Sequence, residues 1–351
     1  MQHDYITEIQ SAETEKWNEI VRSFSDYDVF YLNEYVTAFQ QEQSKNGEPV
    51  LLYYQNQGDR AINVVFKRDV SKDEKMAGKI EEEKYFDLIS PYGYGGFWGQ
   101  ISDYDALNAS YNAYCFENGY ICEFVRFELF GDYSKHYDGE VETRTHNVVR
   151  NLELSLDEMW MEFKQKVRKN VKKATRNELQ IVLDNTGEHL EDFLRIYYST
   201  MDRSDAENEY YFSREFFETL NKMQDNVMYF HALYQGKIVS TELVIYGAEN
   251  CYSYLGGTDR EFFDVRPNDF LKYEIIKWAK EKGLKNFVLG GGYGADDGIF
   301  QYKVCLAPNG VVDFYIGRKV FHPAAYEKLV AIRAEDNPAC RESGYFPKYR
   351  A

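Results

Sequence analysis

The segment KQKVRKNVKKATR, residues 164–176, holds seven Lys or Arg and no acid. Phe163, Val167, Val171 and Ala174 recur at helical spacing, so it predicts a helix with one apolar stripe. Lys164, Arg168 and Lys172 flank the stripe on one side, and Lys166, Lys169, Lys173 and Arg176 on the other. Cations arranged this way suit a phosphate-bearing partner: RNA, a nucleotide or a lipid pyrophosphate. The alternative is a solvated face balanced by Glu158, Glu162 and Glu178. A second segment, RPNDFLKYEIIKWAKEKG (266–283), also reads as a helix. Helix N-termini hold diphosphates on free N–H groups, aided by the dipole. Pro267 has no N–H to give, and Asn268 or Asp269 is expected to cap the helix. Asp269 would also put negative charge where a phosphate would lie. SDYDALNASY (102–111) opens an earlier helix, again with no Gly and with two Asp.

Other candidates are polar residues at strand ends. Asp87 precedes LISPYGYGG and is expected to end a strand at a cleft between domains, where it could orient an amine. Otherwise it is a polar residue packed on the turn. SPYGYGG lacks the Lys-Ser/Thr and following helix of a phosphate loop, and Tyr92 and Tyr94 are expected to wall a sugar or peptide. GGGYGADDG (290–298) lacks the ligand spacing of a calcium loop and reads as a flexible turn. The six His show no Ser-His-Asp order, and His231 reads as structural. The five Cys are scattered without a CxxC pair, which argues for reduced thiols and against zinc. No metal and no tightly bound cofactor is expected.

These residues need a scaffold, and the scaffold looks duplicated. LLYYQNQGDRAINVVFKRD (51–69) and HALYQGKIVSTELVIYGAE (231–249) each read as strand, Gly-containing turn, strand. Each is followed by a Tyr- and Gly-rich stretch, then a helix, a Gly and a strand (106–129 and 269–291). The reading is α/β (α+β): two copies of one mixed-sheet domain flanked by helices, residues 1–150 and 151–351, joined through the polar stretch 131–147. The second copy opens with the strand VVRNLELS and a helix capped by Asp157. A length of 351 residues with 44% apolar residues suffices for two cores, and 31 Tyr and 24 Phe predict aromatic ones. The net charge of -17 repels nucleic acid and anionic membranes, so any RNA contact must be local. No apolar run approaches the ~18 residues of a spanning helix, and MQHDYITEIQ lacks the basic and apolar regions of a secretory signal. The expectation is a cytoplasmic protein with no integral membrane segment.

With the duplication and the basic helix in hand, the chain resembles the Fem-type peptidoglycan bridge-forming aminoacyltransferases and their acetyltransferase-like relatives, tandem-domain members of the GNAT superfamily. The matching pieces are RKNVKKATRNELQI (168–181), TMDRSDAENEYYFSREFFETL (200–220), YSYLGGTD (252–259), FVLGGG (287–292) and GIFQYKVCLAP (298–308). The resemblance implies an acyltransferase that forms an amide on an amine acceptor, most simply a cell-wall precursor. It implies that Arg203, Tyr254 and Tyr211 or Tyr210 hold the acceptor, and that Tyr302-Lys303 is the family's aromatic-Lys pair. Lys303 would then steady the developing oxyanion or touch the donor's terminal phosphate; by spacing alone it is an ordinary surface lysine. GNAT acetyltransferases hold acetyl-CoA at a glycine-rich helix start, which residues 266–270 lack. The resemblance offers aminoacyl-tRNA as the donor instead, with acetyl-CoA, or a non-catalytic binding protein on the same scaffold, as the competing readings. The coiled-coil insertion of some members is absent, and Tyr35 stands where many have Trp.

Overall fold

The computed structural model describes residues 5–42, 47–292 and 297–351. The strands are β1 (Ile6–Gln10), β2 (Glu48–Asn56), β3 (Asp59–Asp69), β4 (Phe86–Ile89), β5 (Trp98–Gln100), β6 (Tyr120–Arg126), β7 (Glu140–Asn151), β8 (Gln180–Asp184), β9 (Val227–Tyr234), β10 (Lys237–Tyr246), β11 (Asn250–Thr258), β12 (Asn286–Gly290) and β13 (Val311–Val320). The helices are α1 (Thr14–Arg22), α2 (Asn33–Glu42), α3 (Tyr104–Glu117), α4 (Tyr133–His136), α5 (Leu156–Glu162), α6 (Gln165–Arg176), α7 (Leu190–Ser204), α8 (Arg214–Leu220), α9 (Pro267–Glu281), α10 (Gly298–Leu306) and α11 (Pro323–Asp336). They gather into two compact units. One holds the residues up to Phe24, Phe30–Arg144 and Phe314–Ala351; the other holds Ser25–Val29 and Thr145–Asp313.

Each unit is a mixed sheet flanked by helices, and the two share one plan. In the first, β2 and β3 form a hairpin through Gln57-Gly58; in the second, β9 and β10 do so through Gln235-Gly236. All four turn residues have positive φ, as a two-residue turn that follows strand twist requires. A third strand then precedes a helix: β4, followed by the short β5 that pairs back on β3, comes before α3, and β11 comes before α9. Each helix ends at a left-handed Gly, Gly119 or Gly283, which turns the chain into a strand, β6 parallel to β4 and β12 parallel to β11. The core of the second unit fills from alternate strand positions. Phe230, Ala232 and Val244 pack with the α6 stripe of Val167, Val171 and Ala174, and with Leu271, Ile275, Ile276 and Ala279 of α9. Tyr229, on the opposite sheet face, meets Phe193 of α7.

Two local expectations change. Ser155, not Asp157, caps α5: its Oγ accepts from the Glu158 N–H at 3.2 Å, and Glu158 reaches back to the Ser155 N–H at 2.8 Å. This reciprocal box satisfies two orphan donors, which Asp157 inside the first turn cannot do. At α9 neither Asn268 nor Asp269 caps. Arg266 holds the N-cap position in the left-handed region (φ 61°), and Pro267 starts the helix. His231 is wholly buried, its Nδ1 2.8 Å from Thr241 Oγ1. The stretch 131–147 carries α4 and opens β7. Of the expected turn at 290–298, residues 293–296 lie outside the described residues, as do the first four residues of MQHDYITEIQ.

Candidate active site

A cavity of about 510 Å³ opens in the second unit where β11 and β12 part. The parallel ladder covers only Asn250–Tyr252 against Asn286–Val288. β11 runs on to Thr258 with β10 as its partner, and the gap is lined by α9, α10 and the end of α7. In this ladder Leu243 faces Leu255 while Val244 faces Ser253, so Tyr254 is the extra residue of a β-bulge. A bulge re-aims its side chains, and Ser253, Tyr254 and Leu255 all line the cavity. Gly256 and Gly257 allow close packing: a Cβ would lie 2.4 Å from the Thr241 carbonyl oxygen at one and 2.3 Å from Thr200 Oγ1 at the other.

Arg203, Tyr254, Tyr302 and Lys303 all line this cavity. The Lys303 ammonium donates to the Gly291 carbonyl at 2.5 Å. Burial, then the like charge of Lys272, lowers its pKa to about 8, with Glu242 and Asp297 pulling the other way. Tyr302 accepts a hydrogen bond from Asn268 Nδ2 at 3.0 Å, and burial pushes its phenol far up, so it stays neutral. Arg203 lies over the Phe263 ring at 5.2 Å and donates to Thr200 Oγ1 at 3.3 Å. Asp269 also lines the cavity and accepts from Asn170 Nδ2 at 3.1 Å. Burial raises its pKa against Asn170, Lys166 and Arg266.

Residues that local reasoning passed over complete the lining. Lys272 donates to Glu242 and to Ser253 Oγ, and both members of the Lys272–Glu242 ion pair are buried. A signal was present: Lys272 lies on the face of α9 that carries Leu271, Ile275, Ile276 and Ala279, an odd place for an unpartnered lysine. Its partner across the sheet had no local signature. Arg266 faces the cavity from a conformation that non-glycine residues seldom adopt.

The remaining candidates lie elsewhere. Tyr211 donates to Asp202 Oδ1 at 2.9 Å and stacks beside Tyr198 at 6.2 Å; it is not among the cavity residues. Asp87, Tyr92 and Tyr94 belong to the first unit. Asp87 is wholly buried; its carboxylate accepts from Arg68 Nε at 2.6 Å, Arg350 Nε at 2.7 Å and Tyr349 at 2.9 Å. Tyr92 is exposed and Tyr94 buried. On α6, Arg168 donates to the carbonyls of Met161 and Phe163, both at 2.7 Å, and so closes the end of α5. Lys172 lies 5.9 Å over the Trp160 ring. Lys164, Lys169, Lys173 and Arg176 are exposed. Two of the acids that could have balanced this face are used otherwise: Glu162 pairs with Arg150, and Glu158 forms the α5 capping box.

Residues 161–304, the stretch that builds this cavity, match the acetyltransferase (GNAT) domain family model. No curated protein sequence matches the chain. Among solved structures, FemX aligns with a TM-score of 0.65 at 14% identity, covering 93% of this chain and 99% of FemX. A conserved Bacteroides thetaiotaomicron protein of unknown function gives 0.58 at 10% identity, covering 90% and 99%. The C-terminal domain of a putative lysylphosphatidylglycerol synthetase from Agrobacterium fabrum gives 0.53 at 11% identity, covering 93% and 96%. At these identities the likeness is one of fold.

Proposed function

Taking as premise a GNAT-type acyltransferase with the fold of FemX, we propose that the second unit transfers an aminoacyl group from aminoacyl-tRNA to an amine of a cell-wall precursor in the cytoplasm. One observation carries the choice of donor: the start of α9 is closed to a diphosphate. Pro267 takes its first position without an N–H, and the buried Asp269 carboxyl sits two residues on, bonded to Asn170 of α6. That bond also joins the basic helix to the cavity wall. Lys164, Lys169, Lys173 and Arg176 then contact the tRNA backbone, while Arg203 and Tyr254 hold the acceptor.

The amine nitrogen attacks the carbonyl carbon of the donor ester. The C–N bond forms, the ester C–O bond breaks, and the proton lost by the amine leaves with the departing hydroxyl. Alignment supplies most of the acceleration, up to ~7–11 kcal/mol in favourable cases. Lys303, cationic below pH about 8, steadies the carbonyl oxygen as charge develops there. Tyr302, neutral and pinned by Asn268, walls the carbonyl in. Asp87 has no part in the step; two guanidinium groups hold it as a structural anion.

Replacing Lys164, Lys169 and Lys173 with Glu is expected to abolish binding of labelled tRNA, and wild-type binding should weaken steeply with salt because each phosphate contact releases counterions. Unchanged or salt-insensitive binding would rule out tRNA as donor. The second reading, acetyl-CoA as donor to a sugar amine or small amine, is favoured by the GNAT family match. It predicts stabilisation by millimolar acetyl-CoA, which the tRNA reading does not.

A further inference from the structure

One buried ion pair of the second unit has no part in the transfer step. Lys272 of α9 and Glu242 of β10 are only 7% and 5% exposed, and Lys272 also donates to Ser253 Oγ on β11. Three elements therefore meet at one ammonium in the wall of the cavity. Resting on the role given to Lys303 in the reaction, we propose that Lys272 and Glu242 are positioning residues that together set the charge carried by the Lys303 side chain.

The first ground is placement. Lys303 reaches from α10 to the end of β12: its ammonium bonds to the Gly291 carbonyl, and a Cβ on Gly290 would lie 3.3 Å from its Nζ. Lys272 approaches the same strand from α9, with its Nζ 5.8 Å from the centre of the Phe287 ring. Glu242, Ser253, Lys272 and Lys303 line one cavity. The pair is also held rigidly. Glu242 lies opposite Phe230 of β9 and Gly256 of β11. A Cβ on Gly256 would stand 3.3 Å from the Glu242 Cβ, so β11 packs closely on it.

The second ground is charge. Two ions held out of water are a poor way to gain stability, since apolar residues of similar volume often serve as well. Their fields, however, reach far in a low-dielectric wall. Lys272 loosens the Lys303 proton more strongly than Glu242 tightens it. The other charged groups near Lys303 are engaged elsewhere. Asp269 of α9 accepts from Asn170 of α6, beside Lys166, and Asp297 caps α10 through the Ile299 N–H. Arg203 of α7 turns to Thr200 and Phe263, while Arg266 at the start of α9 acts on Asp269. His146 of β7, whose carbonyl adjoins Gly291, pairs with Asp313 of β13. The phenols are Tyr254 of β11 and Tyr302 of α10, and Tyr302 stays neutral. Because the two members act with opposite sign, removing either one should move Lys303 in opposite directions, and removing both should nearly cancel.

The test titrates Lys303 in the full chain without donor or acceptor, by competitive labelling with acetic anhydride from pH ~6 to ~11. The reagent acylates only the neutral amine, and mass spectrometry of the Lys303 peptide gives the midpoint. Wild type should titrate near pH 8. Lys272→Met should raise the midpoint by about one pH unit, and Glu242→Gln should lower it by a similar amount. The double variant Lys272→Met/Glu242→Gln, which leaves no unpaired buried charge, should return close to wild type. Unmoved midpoints in the single variants, or a wild-type midpoint near the ordinary 10.5, would overturn the proposal. So would collapse of both single variants beside a well-folded double variant, which would show that the pair serves only stability. In single-turnover assays the descending limb of the pH profile should follow the labelling midpoint. A moved midpoint with an unmoved limb would refute the part assigned to Lys303 in the reaction, not the hold of the pair on its charge.

Discussion

Lys303→Ala is expected to lower turnover by about 10²–10³-fold and, at the same time, to raise the melting temperature. The two effects have one cause. Lys303 is half-buried beside Lys272 with a pKa lowered from 10.5 to about 8, so the folded protein holds this proton less tightly than the unfolded chain does. At neutral pH both states carry the charge, and the native state bears the whole penalty. Removing the side chain relieves it, by about 1–3 kcal/mol once residual solvent contact is allowed for. The gain should shrink as pH rises from 8 to 10.5, where the wild-type native state has already shed the proton. Activity should show the complementary trend: a descending limb near pH 8 as the cation is lost, moved upward in Lys303→Arg. Calorimetric melting and single-turnover rates across pH 6–10 check both. Unchanged turnover in Lys303→Ala would remove Lys303 from the chemistry.

Asp87→Ala should destabilise the first unit by about 3–5 kcal/mol, measured as a fall in the urea midpoint at constant slope. Burial alone would push this carboxyl up, but Arg68 and then Arg350 outweigh it, and the net shift is downward. A lowered carboxyl stabilises the fold above its unfolded pKa, near 3.8, and the contribution is lost as pH falls through the native value. The variant should therefore lose most of the wild type's steep acid sensitivity below pH ~4. Asp87→Asn, which keeps hydrogen-bonding capacity without charge, should fall between the two. A loss below ~1 kcal/mol would mean that the two guanidiniums find solvent or other partners. A rate defect in fully folded Asp87→Asn would return Asp87 to the amine-orienting role that its place in the sequence suggests.

The sequence by itself determined the repeated ββαβ plan, because hairpin turns and helix ends are written in neighbouring residues: Gln-Gly at 57–58 and 235–236, Gly119 and Gly283. It determined the α6 helix and its buried stripe, because 3.6-residue spacing is a local property. Through a family resemblance, it pointed to Arg203, Tyr254, Tyr302 and Lys303, four positions that converge on one cavity. The exact capping at Ser155 and Arg266 was less legible, since Asp, Asn and Ser all satisfy the same local rule and neighbouring contacts choose among them. Tertiary structure alone decided the rest. The pairing of Lys272 with Glu242 and the seizure of Asp87 by Arg68 and Arg350 join residues 30, 19 and 263 positions apart, and the bulge at Tyr254 depends on the register of β11 against β10. Charge neutralisation in a buried site depends on which side chains meet across strands, and no pattern along one strand carries that information.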